Sequence, residues 1–220
     1  MKKVLITAGG THENIDEVRV LTNISTGRLG AKIAEEFYFS DKDFEIHYVA
    51  PKSAVIPNPV RNGMFRIKEN YYHHEVTDVQ SVYDIMKELV PKMDIVIHCM
   101  AVSDFGFKPT SVKLKSNDPV AFIESLKERV YQTPKILKEI KGWNRNCFLV
   151  SFKFEVGLTT EELIRVASKA KEENGCDLVI ANDKMQMKQE KRHIAYAISD
   201  YTEKLTDKDE IAKYIFNKVK

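Results

Sequence analysis

Val4-Leu5-Ile6-Thr7-Ala8-Gly9-Gly10-Thr11 reads as a strand buried on both faces that runs straight into a glycine turn. A near-continuous apolar run needs cover above and below, so it belongs inside a parallel sheet. Working outward, residues 44–50, 94–99, 146–152 and 177–181 repeat the same Val- and Ile-rich character. Segments of helical period separate them. Residues 27–39 place Leu29, Ile33, Ala34 and Phe37 at three-and-four spacing. A helix from Thr77 to about residue 91 follows, and Thr159 with Glu162 forms a capping box ahead of 163–174, stopped by Gly175. Residues 193–199 read as a strand, and a last helix starts at Thr206 or Asp207 with Ile211, Ile215 and Val219 along one side. Residues 119–131 fit a strand or a helix equally. The expected fold is α/β: a Rossmann-like open, mostly parallel sheet with helices on both faces and a small C-terminal strand-helix extension, in one domain over 1–220.

Composition removes several classes of function. With 34 basic and 32 acidic residues, the net charge is +2, which offers no electrostatic footprint for nucleic acid. The N-terminus has too few apolar residues before its glycines for a signal-peptide core, and no later stretch is long enough to span a bilayer. Cys99, Cys147 and Cys176 lack CxxC spacing and sit in or beside apolar runs, as reduced, buried thiols do. A cytoplasmic protein is expected.

Gly9 and Gly10 let backbone amides approach a phosphate, although a tight strand-ending turn explains them equally well. The dinucleotide fingerprint GxGxxG is missing, and no acidic residue ends the second strand for a ribose, which disfavours a dehydrogenase. Instead, a polar insertion carrying Glu13, Asp16, Arg19 and Asn23 precedes Ser25-Thr26-Gly27-Arg28-Leu29-Gly30, where the first long helix opens. Its hydroxyls suit capping or an anion. Two loops, 11–25 and 102–118, follow the carboxyl ends of strands, where open α/β sheets bind ligands. The second carries Lys108, Lys113 and Lys115. His73-His74-Glu75 invites a metal reading, but adjacent histidines point to opposite faces of a strand, so a solvated strand edge is favoured. Lys184, Lys188, Lys191 and Arg192 read as an exposed basic loop or as anion contacts.

The run Ile6 to Thr11, followed by Glu13, Ile15-Asp16, Val18-Arg19, Thr22-Asn23 and Ser25-Thr26-Gly27, closely resembles the opening signature of phosphopantothenoylcysteine synthetases. Cys99-Met100-Ala101-Val102-Ser103-Asp104-Phe105, then Lys113-Leu114-Lys115, is similar to the central motif and lysine-bearing flap of that family. Ser151-Phe152-Lys153-Phe154-Glu155 and Ala181-Asn182-Asp183 match its remaining landmarks in order, so the resemblance spans essentially the whole chain. The first strand begins at residue 2, which implies the stand-alone bacterial form rather than a fusion behind a flavin-dependent decarboxylase.

The resemblance implies a ligase that joins 4′-phosphopantothenate to cysteine through an acyl-nucleotide in coenzyme A biosynthesis. It implies Asn23 as the amide holding the substrate carboxylate, Arg19 as an anion-binding guanidinium and Lys113 as the flap lysine over the triphosphate, with Lys115 beside it. Nucleotide contacts are implied for Gly9, Gly10, Thr11, Ser25, Thr26, Gly27, Ala101, Asp104, Phe105, Phe152, Lys153, Asn182 and Asp183. For Asn182 and Asp183 a strand-ending turn is an equal alternative. Mg2+ is implied as cofactor with ligands unassigned, and a homodimer as the assembly. Two features depart from the common bacterial pattern. Thr133-Pro134-Lys135 stands where Asn-Pro-Asp is usual, leaving Pro134 only its fitness for a first helical position. Residues 102–105 and 151–153 look like the eukaryotic, ATP-using branch, whereas the short bacterial layout points to CTP, the nucleotide favoured. The competing readings are an inactive nucleotide-binding regulatory module and an NAD- or flavin-dependent oxidoreductase.

Overall fold

The computed structural model describes residues 1–66, 69–110, 113–114 and 117–220. Along the chain run β1 (Lys2–Thr7), α1 (Arg28–Tyr38), β2 (Phe44–Ala50), β3 (Tyr71–Glu75), α2 (Val79–Leu89), β4 (Ile95–His98), α3 (Pro119–Arg129) and α4 (Ile136–Trp143). Then follow β5 (Phe148–Glu155), α5 (Thr160–Asn174), β6 (Leu178–Asp183), α6 (Lys184–Glu190), β7 (Ala195–Ile198), β8 (Thr202–Leu205) and α7 (Lys208–Val219). These eight strands form one sheet in the order β8-β7-β6-β5-β4-β1-β2-β3. The six from β3 to β6 are parallel, while β7 and β8 add antiparallel at one edge. Read across the sheet, 3-2-1-4-5-6 is the doubly wound order, which leaves a topological switch point between β1 and β4.

Alternation within the central strands sorts their side chains onto two faces. Val4, Ile6, Ile46, Ile97 and Val150 meet Ile33, Phe37, Ile211 and Ile215 of α1 and α7. Leu5, Val49, Val96, Leu149 and Val179 meet Val82, Met86, Ile140 and Leu163 of α2, α4 and α5. Helix α2 begins at Val79 rather than at Thr77, because Asp78 accepts from the Ser81 amide and caps it. Thr159 and Glu162 form the expected capping box, and Gly175, at φ 62°, ends α5 in the left-handed region.

Four local readings differ from expectation or are resolved by it. Residues 119–131 are helix α3 followed by a short strand, Val130–Gln132, paired with Phe105–Phe107. Asp118 capping the amides of Val120 and Ala121, with Pro119 in the first turn, selects the helix. The stretch after β1 folds as a small hairpin of His12–Asn14 with Val20–Thr22 rather than as an open loop. Pro134 does not open a helix: α4 starts at Ile136. Thr133 is held extended by bonds from its Oγ1 to the Ser103 carbonyl (2.6 Å) and from its N–H to that of Asp104 (3.1 Å). His73 and His74 lie on the edge strand β3, where His73 is exposed and the His74 ring is hydrogen-bonded to His47 at 2.9 Å.

Gly30 sets how closely α1 meets the sheet. A Cβ there would fall 2.5 Å from the Ala8 Cβ, too close for any real contact. Gly30→Ala is expected to lower the unfolding free energy by about 1–3 kcal/mol despite its better helix propensity, as overpacking does. Urea unfolding measures it, and an unchanged midpoint would mean that α1 rides freely outward.

Candidate ligand site at the switch point

Beyond the carboxyl ends of β1 and β4 the backbone closes on itself. Gly9, at φ 84°, turns the chain; the Ala101 N–H donates to the Gly9 carbonyl (2.8 Å), and the Thr11 N–H to that of Ala101 (3.2 Å). Gly10 bridges Ala101 directly. Asn23 reaches this knot from the hairpin's far strand, its Nδ2 donating to the Ala101 carbonyl at 3.2 Å. A Cβ on Gly10 would lie 2.9 Å from the Asn23 carbonyl, so the glycine is required by this approach. Gly27, at φ 73°, opens α1 without a side-chain cap. The amides of that first turn therefore face the same edge, as anion sites require. Asn23 itself is exposed and available to a ligand.

Beside the knot, the ends of β4 and β5 and the start of α4 enclose a cleft of about 450 Å3, lined in part by His98, Ser103, Asp104, Lys135, Phe152 and Lys153. Asp104 pairs with Lys135 at 2.5 Å, and Lys153 with Glu155 at 2.9 Å. An aromatic side chain with charged groups at the rim suits a base and a phosphate chain. His98 forms part of the floor. The Met100 N–H donates to Thr7 Oγ1 (3.1 Å), and the same hydroxyl is hydrogen-bonded to His98 Nδ1 (2.9 Å). Burial holds this imidazole down at about 4, neutral at physiological pH.

The structure thus gathers Gly9, Gly10, Asn23, Ala101 and Ser25 to Gly27 in one place, with Asp104, Phe152 and Lys153 around the adjoining cleft. Phe105, half exposed, leaves the rim in the strand that pairs with Val130–Gln132. Thr11 is a staple: its Oγ1 accepts from the Ser103 N–H at 3.0 Å. Asp183 is a helix cap, accepting from the Met185, Gln186 and Leu158 amides. Burial alone would raise its carboxyl, and these amides more than offset that, holding it below the usual range. The Asn182 amide meets the Met187 sulfur at 3.4 Å.

Arg19 does not point freely at the cleft. It binds Asp16 at 2.5 Å, donates to the Leu114 carbonyl at 2.7 Å and lies over the Phe122 ring. The guanidinium holds the Asp16 carboxyl well below the usual carboxylate range. Because Asp16 also accepts from the Leu114 N–H (3.0 Å), this pair ties residue 114 to the hairpin, with exposed Lys113 next to it. Lys115 lies outside the described residues. Glu13 has a comparable architectural task, its buried carboxylate accepting from the Val79 N–H at 2.8 Å. Sequence reasoning missed His98 and Lys135. His98 looked like one more position in an apolar strand, and Lys135 fell in a motif set aside for its departure from the usual residues.

A doubly wound sheet with a glycine turn, an asparagine and a polar cleft at its switch point defines an α/β domain built to hold a ligand beyond its carboxyl edge. The chain belongs to the family described as the DNA/pantothenate metabolism flavoprotein C-terminal domain, which it matches over residues 1–220. It is 35% identical to the coenzyme A biosynthesis bifunctional protein CoaBC of Thermococcus kodakarensis, over 99% of this chain and 51% of that protein. The corresponding protein of Bacillus subtilis is 33% identical over 83% of this chain and 40% of its own length. The chain thus spans about half the length of the curated relatives it matches, or less. Among solved structures, the DNA/pantothenate metabolism flavoprotein of Streptococcus pneumoniae superposes with a TM-score of 0.81 at 29% identity, covering 100% of this chain and 98% of that one. The Cab2 mutant H337A, in complex with phosphopantothenate-cysteine, shares the fold with a TM-score of 0.72 at 18% identity, over 99% and 86% of the two chains. Among the described residues no helix is long and apolar enough to cross a membrane.

Proposed function

We propose that this chain is a cytoplasmic phosphopantothenate-cysteine ligase that activates 4′-phosphopantothenate as an acyl-nucleotide with CTP and then transfers the acyl group to cysteine. The observation that carries this reading is the Asn23 amide, held against the Ala101 carbonyl at the mouth of the glycine turn. An amide there donates to a carboxylate without competing as a nucleophile. The family and the CoaBC relatives support the pathway.

In the first step a carboxylate oxygen attacks the α-phosphorus and pyrophosphate leaves with the bonding pair. In the second, the cysteine amine attacks the acyl carbon, the nucleoside monophosphate departs and the amine proton is lost. Asn23 orients the carboxylate and then the acyl oxygen. The cleft receives the nucleotide, with Phe152 against the base and Lys135, Lys153 and Lys113 offsetting phosphate charge. Arg19, bound to Asp16 and Leu114, positions the Lys113 segment. On this reading Mg2+ arrives on the triphosphate. Asp104 is the carboxylate that would meet such an ion in place of Lys135, and the ion would supply charge neutralisation.

A second copy of the chain is the assembly this reading includes. Val18, Val20 and Ile24 on and beside the hairpin, and Val120 and Ile123 on α3, are all at least half exposed. No residue of α3 is buried. On this reading these side chains are what the second copy covers. Sedimentation showing only a 25.3 kDa species would remove the dimer.

The deciding experiment incubates the protein with 4′-phosphopantothenate, Mg2+ and either CTP or ATP, with and without cysteine, and follows pyrophosphate and products by mass spectrometry. Cysteine-dependent 4′-phosphopantothenoylcysteine with CTP is expected. Product with ATP alone would reassign the nucleotide, in line with residues 102–105 and 151–153. No product with either would leave a nucleotide-binding regulatory module.

A further inference from the structure

At the outer edge of the sheet, away from the cleft, polar side chains stand where a covered strand is usually apolar. Alternation puts Lys3 and Leu5 of β1, Glu45, His47 and Val49 of β2, and Tyr72 and His74 of β3 on the face that α2 covers. His47 is only 8% exposed. Both its ring nitrogens are engaged, Nε2 with Glu45 Oε1 and Nδ1 with His74 Nε2, each at 2.9 Å. Lys3 Nζ meets the same Glu45 oxygen at 3.0 Å, and the Tyr72 ring lies 22° from parallel with His47, centroids 5.1 Å apart. The two imidazole planes are within 11° of each other and their centroids are 5.2 Å apart, so the bonded nitrogens meet head-on. Lone pairs aimed along one line share a proton and do not converge on a metal ion.

Hydrogen-bond capacity fixes how many protons this chain can hold. His47 and Lys3 hold the Glu45 carboxyl below its ordinary value, so it is ionised and only accepts. His47 Nε2 therefore carries a hydrogen. With that ring neutral, Nδ1 accepts and the His74 Nε2–H donates to it. One added proton is well received: His47 then donates from both nitrogens, to Glu45 and to His74, whose own hydrogen sits on Nδ1. A second proton has no such place. It leaves two N–H groups facing each other across 2.9 Å and two imidazolium charges 5.2 Å apart. Around the pair stand Lys3 of β1, Glu45 of β2, Tyr72 of β3, His73 on the opposite face of β3, and Glu88 of α2, which is shared with Lys92. Burial, His47 and His73 push the His74 ring below its ordinary 6.5, with Glu88 acting the other way. A folded-state value below the unfolded one means that the contribution is complete above about 6.5 and is lost as the pH falls below it.

Strand β3 is outermost in the sheet, yet what it fixes reaches the site. Directly after it the Val76 N–H donates to the Ala50 carbonyl (3.2 Å), the His12 N–H donates to the Thr77 carbonyl (2.8 Å), and the Val79 N–H donates to Glu13 Oε1 (2.8 Å). His12 and Glu13 belong to the first strand of the hairpin, where His12 pairs with Thr22, the residue before Asn23. We propose that Glu45, His47 and His74 form a one-proton clasp that fastens β3, and through it the hairpin bearing Asn23, and that opens when a second proton arrives. The clasp is built into the fold and holds whether or not the chain is a ligase.

Followed by NMR against pH, the His47 and His74 rings should titrate in two steps about 100-fold apart in proton affinity, as two charges at this separation require. His74→Gln keeps a side-chain N–H for His47 Nδ1 but cannot take the second proton. Amide hydrogen exchange, corrected for its intrinsic pH dependence, reads the fastening. In the wild type the Val76 and His12 amides should lose about tenfold in protection between about pH 7 and about pH 5, whereas in His74→Gln they should keep it. The amides of Val96 and Val150, in the central strands, are the control, because global unfolding in acid would release them as well. One-step titrations of the two rings at a common midpoint overturn the clasp, and that measurement requires no variant. Protection that responds to pH equally in the wild type and in His74→Gln also overturns it, as does a His12 amide that stays protected while Val76 opens. No step measures turnover, so a failed ligase assay and a failed clasp remain separate results.

Discussion

Asn23→Ala is expected to lower kcat for acyl-nucleotide formation by about 10²–10³-fold, the usual consequence of removing one donor aimed at developing negative charge. The side chain is exposed and makes a single bond, to the Ala101 carbonyl, so its removal leaves no buried group unpaired. Thermal stability should therefore change by no more than about 0.5 kcal/mol, as for other surface substitutions. Activity and stability separate cleanly here. Asn23→Asp discriminates further: it keeps the shape, loses both N–H donors and faces the substrate carboxylate with a like charge, so it should fall below the alanine variant. Pyrophosphate release under saturating nucleotide measures both. A kcat for Asn23→Ala within about twofold of wild type would take Asn23 out of the reacting centre and leave it a brace between hairpin and β4.

Acidification is expected to reduce stability by about 3 kcal/mol through His98 alone. Its imidazole is held at about 4 in the folded chain against an ordinary 6.5. Between those values the unfolded chain binds a proton that the folded chain refuses. The contribution is intact above pH 6.5, falls as the pH drops, and is gone below about pH 4. His193, also held at about 4, adds a loss of the same sign in the same window. His98→Asn isolates the first term, since its amide can hydrogen-bond Thr7 Oγ1 in either sense, yet it does not titrate. Urea unfolding across pH 4–7 should show a shallower pH dependence in the variant by about 3 kcal/mol. Parallel curves would mean that the pocket admits the proton with a compensating water or carboxylate.

The central strands, the helix opening at Gly27 and the capping box at Thr159 were legible because each is written in neighbouring residues: apolar runs, hydroxyls before a helix, a glycine after one. The sequence likewise marks Gly9, Gly10, Ala101 and Asn23 as one group through their family resemblance, and the backbone knot gives that grouping its cause. Strand β8 escaped notice since three of its four residues are exposed and only Leu205 is buried. Its identity as a strand comes from pairing with β7 rather than from its own pattern.

The same limit separates the chemistry of the site residues. Sequence alone determined an α/β sheet with a glycine turn at its first strand end and supplied the amide, lysines and acids that the proposed ligase would use. Only the tertiary structure decided which of those side chains are free. Arg19 is held by Asp16 and Leu114, Asp183 by three amides, and Lys135 reaches Asp104 across the cleft. It also decided that His47 and His74, in different strands, share one hydrogen bond at the outer edge of the sheet. Secondary structure follows from local propensity and burial period, whereas a charged group's task depends on which partners the fold brings within a few ångströms, and that distance is set by long-range packing.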